Sequence, residues 1–573
     1  MAASSTTSTD GGPNRLTGFL RRSRALLPVR ADWSTAAPRD LVAGVMVGLV
    51  ALPLALGFGV SSGLGARAGL ITAIIAGVVA GIFGGSRVQV SGPTGAMTVV
   101  LVPIAAQFGP DGVLVVGLLA GVILIGLGYV GVGRYINYVP VPVIEGFTLG
   151  IAAIIAMQQV PAALGVHVSA DKVVVLAYDA VRAWISDPQV TALVLTTLSV
   201  TAILAVARRL PLVPGSLLVV VLATGANEVL GLGAATIGHI PGGLPLPSFP
   251  TSAWGRLDAL LLPAVVVAML AALESLLSAT VADAMSVGDR HDPDRELFGQ
   301  GLANLAAPLF GGIPATAAIA RTAVNVRAGA SSRLATVVHA ALLLVIVLAA
   351  ASLVGRIPLA ALAGVLIATS IQMVRVSSVL ALVHSTRGDA VVLAVTALAT
   401  VFLDLVTAVL IGMVIAGFFA LRQTARTSRL DEVPLEDPES GADAQAHHTE
   451  ERRLLDEHIV AYRIDGPLFF AAAHDFLLQL SDVGDVRVVI LRMSRVTTLD
   501  ATGASVLADT IKRLEGRGIT VLLSAIRPQH VQTLRRLGAY DRLSHERHAF
   551  ATTPEAIAHA RLHAARTAHA APA

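Results

Sequence analysis

Cysteine is absent from this chain, which removes disulfides, thiolate metal sites and cysteine nucleophiles together. Charge is scarce too. Only 14% of the 573 residues are Asp, Glu, Lys or Arg, and the formal net charge of +3 gives no reason to expect a nucleic-acid partner. No zinc-binding helix, phosphate loop or nucleophile elbow can be found, so an enzyme is not expected. No secretory signal pattern occurs in the first thirty residues, and the first membrane helix is expected to act as the insertion signal. Acids at 283, 289, 292, 294 and 296 lack the spacing of a calcium loop, and His447-His448 has no partners at metal spacing, so no metal or cofactor is expected. What remains is apolar: 54% of residues are hydrophobic, with a mean hydropathy of +0.74. This is the composition of a polytopic protein of the lipid bilayer with a more polar tail.

A basic leader, residues 1–39, precedes the first apolar run. Matching apolar runs to the bilayer, which takes about 20 helical residues, predicts fourteen segments in a transmembrane domain over 40–422. They lie near 40–60, 66–83, 92–106, 111–132, 141–160, 190–207, 214–231, 258–284, 295–311, 316–328, 333–354, 358–376, 388–403 and 404–422. Arg87, Arg134, Arg208, Arg209, Arg290, Arg295, Arg327, Arg333, Arg375 and Arg387 fall on one side. Arg67, Lys172, Arg182, Arg256 and Arg356 fall on the other, so both termini are expected in the cytoplasm. Seven segments precede a Gly/Pro-rich loop near 231–257 and seven follow it. An odd number reverses the second half, predicting a 7+7 inverted repeat over about 40–231 and 258–422.

Two stretches break the helical pattern at corresponding places. Ser91-Gly92-Pro93-Thr94-Gly95-Ala96-Met97 opens the short third segment, and Gly311-Gly312-Ile313-Pro314-Ala315-Thr316 opens the tenth. Backbone freed by Gly and Pro survives at membrane depth only where protein or a watery cavity satisfies it. Two half-helices pointing their N-termini at a central cavity are the expectation, and the dipole ends plus Arg321 would favour an anion. Glu274 lies in the middle of the eighth segment, where a carboxylate is a functional candidate by default. Ser278 follows one turn later on the same face. Glu145, at the start of the fifth segment, reads as structural, Asp404 as a loop residue, and His339 as packing.

The chain turns polar at 423–457, a linker, and then alternates strand and helix patterns. Strands are expected at 459–464, 486–492 and 519–524, and helices near 473–480, 503–516 and 528–537. A small soluble α/β domain over 458–573 is expected.

Taken together, Val90-Ser91-Gly92-Pro93-Thr94-Gly95-Ala96-Met97, Pro142-Val143-Ile144-Glu145-Gly146-Phe147-Thr148-Leu149-Gly150, Glu274-Ser275-Leu276-Leu277-Ser278 and Gly299-Gln300-Gly301-Leu302-Ala303-Asn304 running into Gly311-Gly312-Ile313-Pro314 resemble the SulP family of inorganic anion transporters. In the tail, Leu499-Asp500-Ala501-Thr502-Gly503 resembles the Asp-Ser-x-Gly turn of STAS domains. The resemblance implies a mobile core domain, a more static gate domain and a homodimer. It also implies an anion site lined by Phe58, Thr94, Gly95, Ala96, Thr316, Ala317, Ala318 and Arg321. Leu54 departs from the family, which often has Gln or Glu after the first-helix proline. Thr502 stands where related anti-sigma-factor antagonists carry a phosphorylated serine, and it is expected either to cap the helix or to serve as a phosphosite.

The expected function is secondary active transport of a small inorganic or carboxylate anion such as sulfate or bicarbonate, by an elevator-like movement and with Glu274 and Ser278 coupling it to protons. Relatives that use sodium carry Asp and Thr at these positions, and the longer Glu274 carboxylate would crowd a cation cage. Sodium-coupled bicarbonate transport is the alternative, since a glutamate with one nearby hydroxyl and exposed backbone carbonyls could still hold sodium. A nucleobase carrier on the same fold, or a membrane-anchored STAS sensor, are the others.

Overall fold

The computed structural model describes residues 37–426, 429–432, 458–469, 486–538 and 548–569, apart from short gaps at 171, 211–212, 252, 287–289 and 404, plus Trp33, Tyr540 and Leu543. The basic leader up to 36 (except Trp33), Asp404 and the helix expected near 473–480 lie outside the described residues.

The chain forms two compact units, residues 1–416 and 417–573. In the first, the helices are α1 (Ala37–Ser61), α2 (Ala66–Phe83), α3 (Gly95–Val130), α4 (Val141–Gln158), α5 (Val160–Leu164), α6 (Val173–Ser186), α7 (Val190–Arg209) and α8 (Gly215–Val229). They continue with α9 (Leu257–Met285), α10 (Pro293–Leu309), α11 (Ile319–Arg327), α12 (Arg333–Gly355), α13 (Leu359–Met373), α14 (Val376–Ser385), α15 (Arg387–Phe402) and α16 (Leu405–Arg426), the last crossing the unit boundary. Two short strands, β1 (Ser91–Gly92) and β2 (Thr316–Ala317), interrupt them.

Among the described residues, nine helical spans are long and apolar enough to cross a membrane, fewer than the fourteen expected. The difference has local causes. α3 joins the third and fourth segments across Gly109, whose φ of 71° and ψ of −177° break the helix just before Pro110. Residues 215–229, 293–309, 319–327 and 387–402 are helical but too short or too polar for a full span.

The helices pack in two groups. α2, α3 and α9 to α12 contact one another along with α1, while α4 packs on α13 and α15, and α13 on α7. Glycines let backbones approach inside the first group: a Cβ on Gly85 would strike the Asp292 carbonyl, and one on Gly69 the Ala55 carbonyl. Arg333, fully buried, donates to the carbonyl oxygens of Gly81 (2.8 Å) and Gly84 (2.6 Å), satisfying orphan groups at the end of α2. Glu145 is also buried, paired with Arg375 at 2.7 Å, the structural role expected of it.

The second unit is an α/β domain. Its strands are β3 (Arg429–Glu432), β4 (Ile459–Leu468), β5 (Val488–Arg492), β6 (Val496–Leu499), β7 (Thr520–Ser524) and β8 (Ala549–Phe550); its helices are α17 (Ala501–Gly516), α18 (Pro528–Arg536) and α19 (Thr553–His569). The sheet order is β3-β4-β5-β7-β8 with β6 beside β4, parallel except for β3. The expected linker is corrected at its start, because α16 runs to Arg426 and residues 429–432 pair with β4. Strands so short as β3, β6 and β8 carry too few residues for a period-2 pattern, which is why the sequence showed only three.

Candidate functional site

The two interrupted stretches meet. β1 and β2 pair antiparallel, Ser91 opposite Ala317 and Gly92 opposite Thr316. Helix follows each strand within a few residues, so α3 and α11 leave this crossing in opposite directions with their N-termini near its centre. That is the arrangement expected for corresponding elements of inverted halves.

At the α3 end, Thr94 is the N-cap. Its Oγ1 accepts from the Met97 N–H at 3.4 Å and donates to Glu274 Oε2 at 2.8 Å. The cap and the carboxylate are therefore one unit, so any change in charge on Glu274 is felt at the helix start. Phe58 lies beside it: a Cβ on Gly95 would come 3.1 Å from the Phe58 ring and would clash with Ile155 of α4. Ala96 is fully buried behind them.

At the α11 end, Ala318 occupies the N-cap position and no side chain caps the helix. Its own N–H is spent on the Val90 carbonyl at 3.0 Å, while Ile319 and Ala320 are exposed. Uncapped first-turn N–H groups on an exposed face are an anion-binding arrangement. Arg321 is the third residue of the helix and only 1% exposed. Its Nη2 donates to the Pro93 carbonyl at 2.7 Å, tying α11 to the approach to α3, while its Nε and Nη1 donate to no described residue. Arg321 and Glu274 attract each other electrostatically. A guanidinium fixed by one nitrogen, with further donors unspent, can hold a carboxylate-like or tetrahedral oxyanion.

α9 serves both ends. Glu274 faces Thr94, Ser275 Oγ lies 2.9 Å from Thr316 Oγ1 and accepts from the Ala317 N–H at 3.2 Å, and Ser278 donates to Thr322 Oγ1 at 3.1 Å. The structure thus pairs Glu274 with Thr94 and gives Ser278 to the α11 side. One-turn spacing puts the two on the same face of α9, but their hydrogen-bond partners lie on different elements.

Sequence reasoning passed over a buried polar frame around the crossing. Gln300 donates from Nε2 to Ser91 Oγ (2.6 Å) and Glu296 Oε1 (2.9 Å), while Asn304 bonds both ways with the Ala315 backbone at 2.8 Å. Thr72 brackets Ile313, and Gln89 reaches the Ser275 carbonyl at 3.0 Å. Glu296, Gln300 and Asn304 recur every fourth residue on one face of α10, a polar stripe that could have been read as aimed at broken backbone.

In the second unit, Thr502 is exposed at the second position of α17. The cap is Asp500, whose Oδ1 accepts the Gly503 N–H at 2.7 Å, so the expectation that Thr502 caps the helix is corrected.

A model of the sulfate permease family matches residues 38–396, and one of the STAS domain matches 454–556. The chain belongs to the sulfate permease family. Its curated relatives include YvdB of Bacillus subtilis (strain 168), named for sulfate transport, 33% identical over 88% of this chain and 94% of the relative. Also similar is the bicarbonate transporter BicA of Synechocystis sp., 30% identical over 87% of this chain and 90% of the relative. The solved transmembrane domain of a cyanobacterial BicA superposes with a TM-score of 0.61 at 32% identity, over 66% of this chain and all but 1% of that one, whose coverage is 99%. SLC26A9 superposes with a TM-score of 0.78 over 99% of both chains; at 18% identity it shows the sulfate permease fold alone. YvdB and BicA are named for transport, and the protein is not an enzyme.

Proposed function

We propose that the protein is a secondary active transporter of a small oxyanion, sulfate or bicarbonate, driven by protons through Glu274. The observation that carries this reading is the uncapped start of α11, with the Arg321 guanidinium fixed beside it and the Glu274 carboxylate hydrogen-bonded to the opposite helix cap. The substrate class is supported by what the relatives are named for, sulfate and bicarbonate.

The anion sits between Thr94, Gly95 and Ala96 on one side and Thr316, Ala317, Ala318 and Arg321 on the other, with Phe58 closing it. When Glu274 takes up a proton, it stops repelling the anion, so the two bind cooperatively. Ser278 donates to Thr322 on the α11 side, and the Glu274 carboxylate, longer than the aspartate of sodium-using relatives, crowds a cation cage, which favours the proton. The group holding α1 to α3 and α9 to α12 moves as the core against the gate of α4 to α8 and α13 to α16, in an elevator-like step. The seam at Gly95 and Ile155 is where such a step slides. The protein works as a homodimer in the plasma membrane, supported by the family resemblance, and its STAS domain lies in the cytoplasm, supported by the arginine bias.

The test is uptake of a panel of radiolabelled anions by purified protein in liposomes, under imposed pH or sodium gradients. Acid-stimulated uptake of sulfate or bicarbonate that Glu274→Gln makes indifferent to pH is the expected result; uptake driven by sodium and unaffected by pH would overturn proton coupling.

A further inference from the structure

A cluster of three histidines in the STAS domain has no part in the transport site. α19 lays Ala556, Ala560 and Ala564 onto the sheet at one-turn spacing, and His559 and His563 follow the same spacing along the margin of that stripe. His548 immediately precedes β8 and is held by its backbone: its N–H donates to the Leu543 carbonyl at 2.7 Å, and its carbonyl accepts from the Leu523 N–H at 2.8 Å. The fold thus brings one histidine from the sheet edge to two on the helix. His563 Nε2 stands 3.3 Å from His548 Nε2 and 3.2 Å from His559 Nε2.

Hydrogen bonding among the rings joins the nitrogens only two at a time. A neutral imidazole nitrogen offers either one proton or one in-plane lone pair, so His563 Nε2 can satisfy one neighbour and is left facing the other. A single cation resolves the conflict by accepting a lone pair from each ring. Two nitrogens bound to tetrahedral zinc at about 2.0–2.1 Å stand roughly 3.3–3.4 Å apart, which the two close pairs nearly match. The ligating nitrogens of all three residues lie within 4.8 Å of one another. His548 is buried and the other two are half-buried, so the cluster is reachable from the surface.

We infer that His548, His559 and His563 form a three-imidazole site for a divalent transition-metal ion, zinc being the ion that this nitrogen donor set and spacing fit. The bound ion clamps α19 to the strand edge at β8.

The experiment uses the full chain, purified in detergent without an oligohistidine tag and stripped with a chelator. Calorimetric titration with zinc is expected to show one equivalent bound. His559→Ala/His563→Ala should weaken this about 100-fold or more, whereas His447→Ala/His448→Ala should leave it unchanged. X-ray absorption of the loaded protein should give three imidazole nitrogens, and zinc should slow hydrogen exchange over 553–569 in the unaltered chain but not in the α19 variant. Failure to bind an equivalent, binding that survives the α19 double substitution, or loss of binding with the 447/448 pair each overturns the site.

Discussion

The starts of α3 and α11 are the same device built two ways. α3 is capped by its own Thr94, and that cap is bonded to a carboxylate. α11 has alanine at the cap and a buried guanidinium in its first turn. One end is internally satisfied and adjustable in charge; the other is left hungry for an acceptor. A helix N-terminus binds an anion only if nothing in the chain has already taken its N–H groups, so the asymmetry assigns the two ends different work.

Removing the adjustable charge should have the largest effect. With Glu274→Gln, the ratio of uptake at acid to alkaline external pH should fall to near unity, because the side chain no longer changes charge; a ratio like that of the unaltered chain would move coupling elsewhere. Next is the hungry end. Arg321→Ala removes charge-assisted hydrogen bonds worth about 1.5–3 kcal/mol, so the substrate KM should rise roughly 10- to 100-fold. Arg321→Lys should recover only part, since an ammonium lacks the planar fork. Giving α11 the carboxylate cap it lacks, with Ala318→Asp, should weaken anion binding by about 1–2 kcal/mol while the helix itself is preserved. That outcome is read from KM beside hydrogen exchange over 319–327; tighter binding would show that the α11 start is not where the anion sits. Thr94→Val costs a cap worth about 1 kcal/mol and frees Glu274, so it should lower uptake by roughly five-fold and shift its pH profile, whereas Thr94→Ser should do neither. The smallest effect belongs to Thr502→Ala. Because Asp500 is the cap there, exchange over 501–516 should change by no more than about 0.5 kcal/mol, against about 1 kcal/mol for Asp500→Ala.

The helical segments were legible because apolar runs and their breaks are local. Residues 66–83 were read to the residue, and the breakers at Gly92-Pro93 and Gly311-Gly312-Ile313-Pro314 marked the crossing. Side-chain partnerships were not legible. Spacing put Ser278 on the face of Glu274, but a helix face says only which residues are neighbours along it, and the hydroxyl that bonds Glu274 came from Thr94, 180 residues away in sequence. The same limit hid the histidine cluster. The pair at 559 and 563 has ligand spacing on its own helix, but His548 joins it only through the pairing of β7 with β8.

By itself, then, the sequence determined that the chain fills a bilayer, where it breaks, which charged groups lie at membrane depth and that an α/β domain follows. Hydrophobic runs, glycine, proline and unsolvated charge act within a few residues, and their consequences can be read there. Only the tertiary structure decided that the two breaks pair as antiparallel strands, that one helix start is capped and the other open, and which donor meets which acceptor. Those outcomes depend on hydrogen bonds between residues far apart in the chain, and their short range makes them invisible until packing has set distances to within about an ångström.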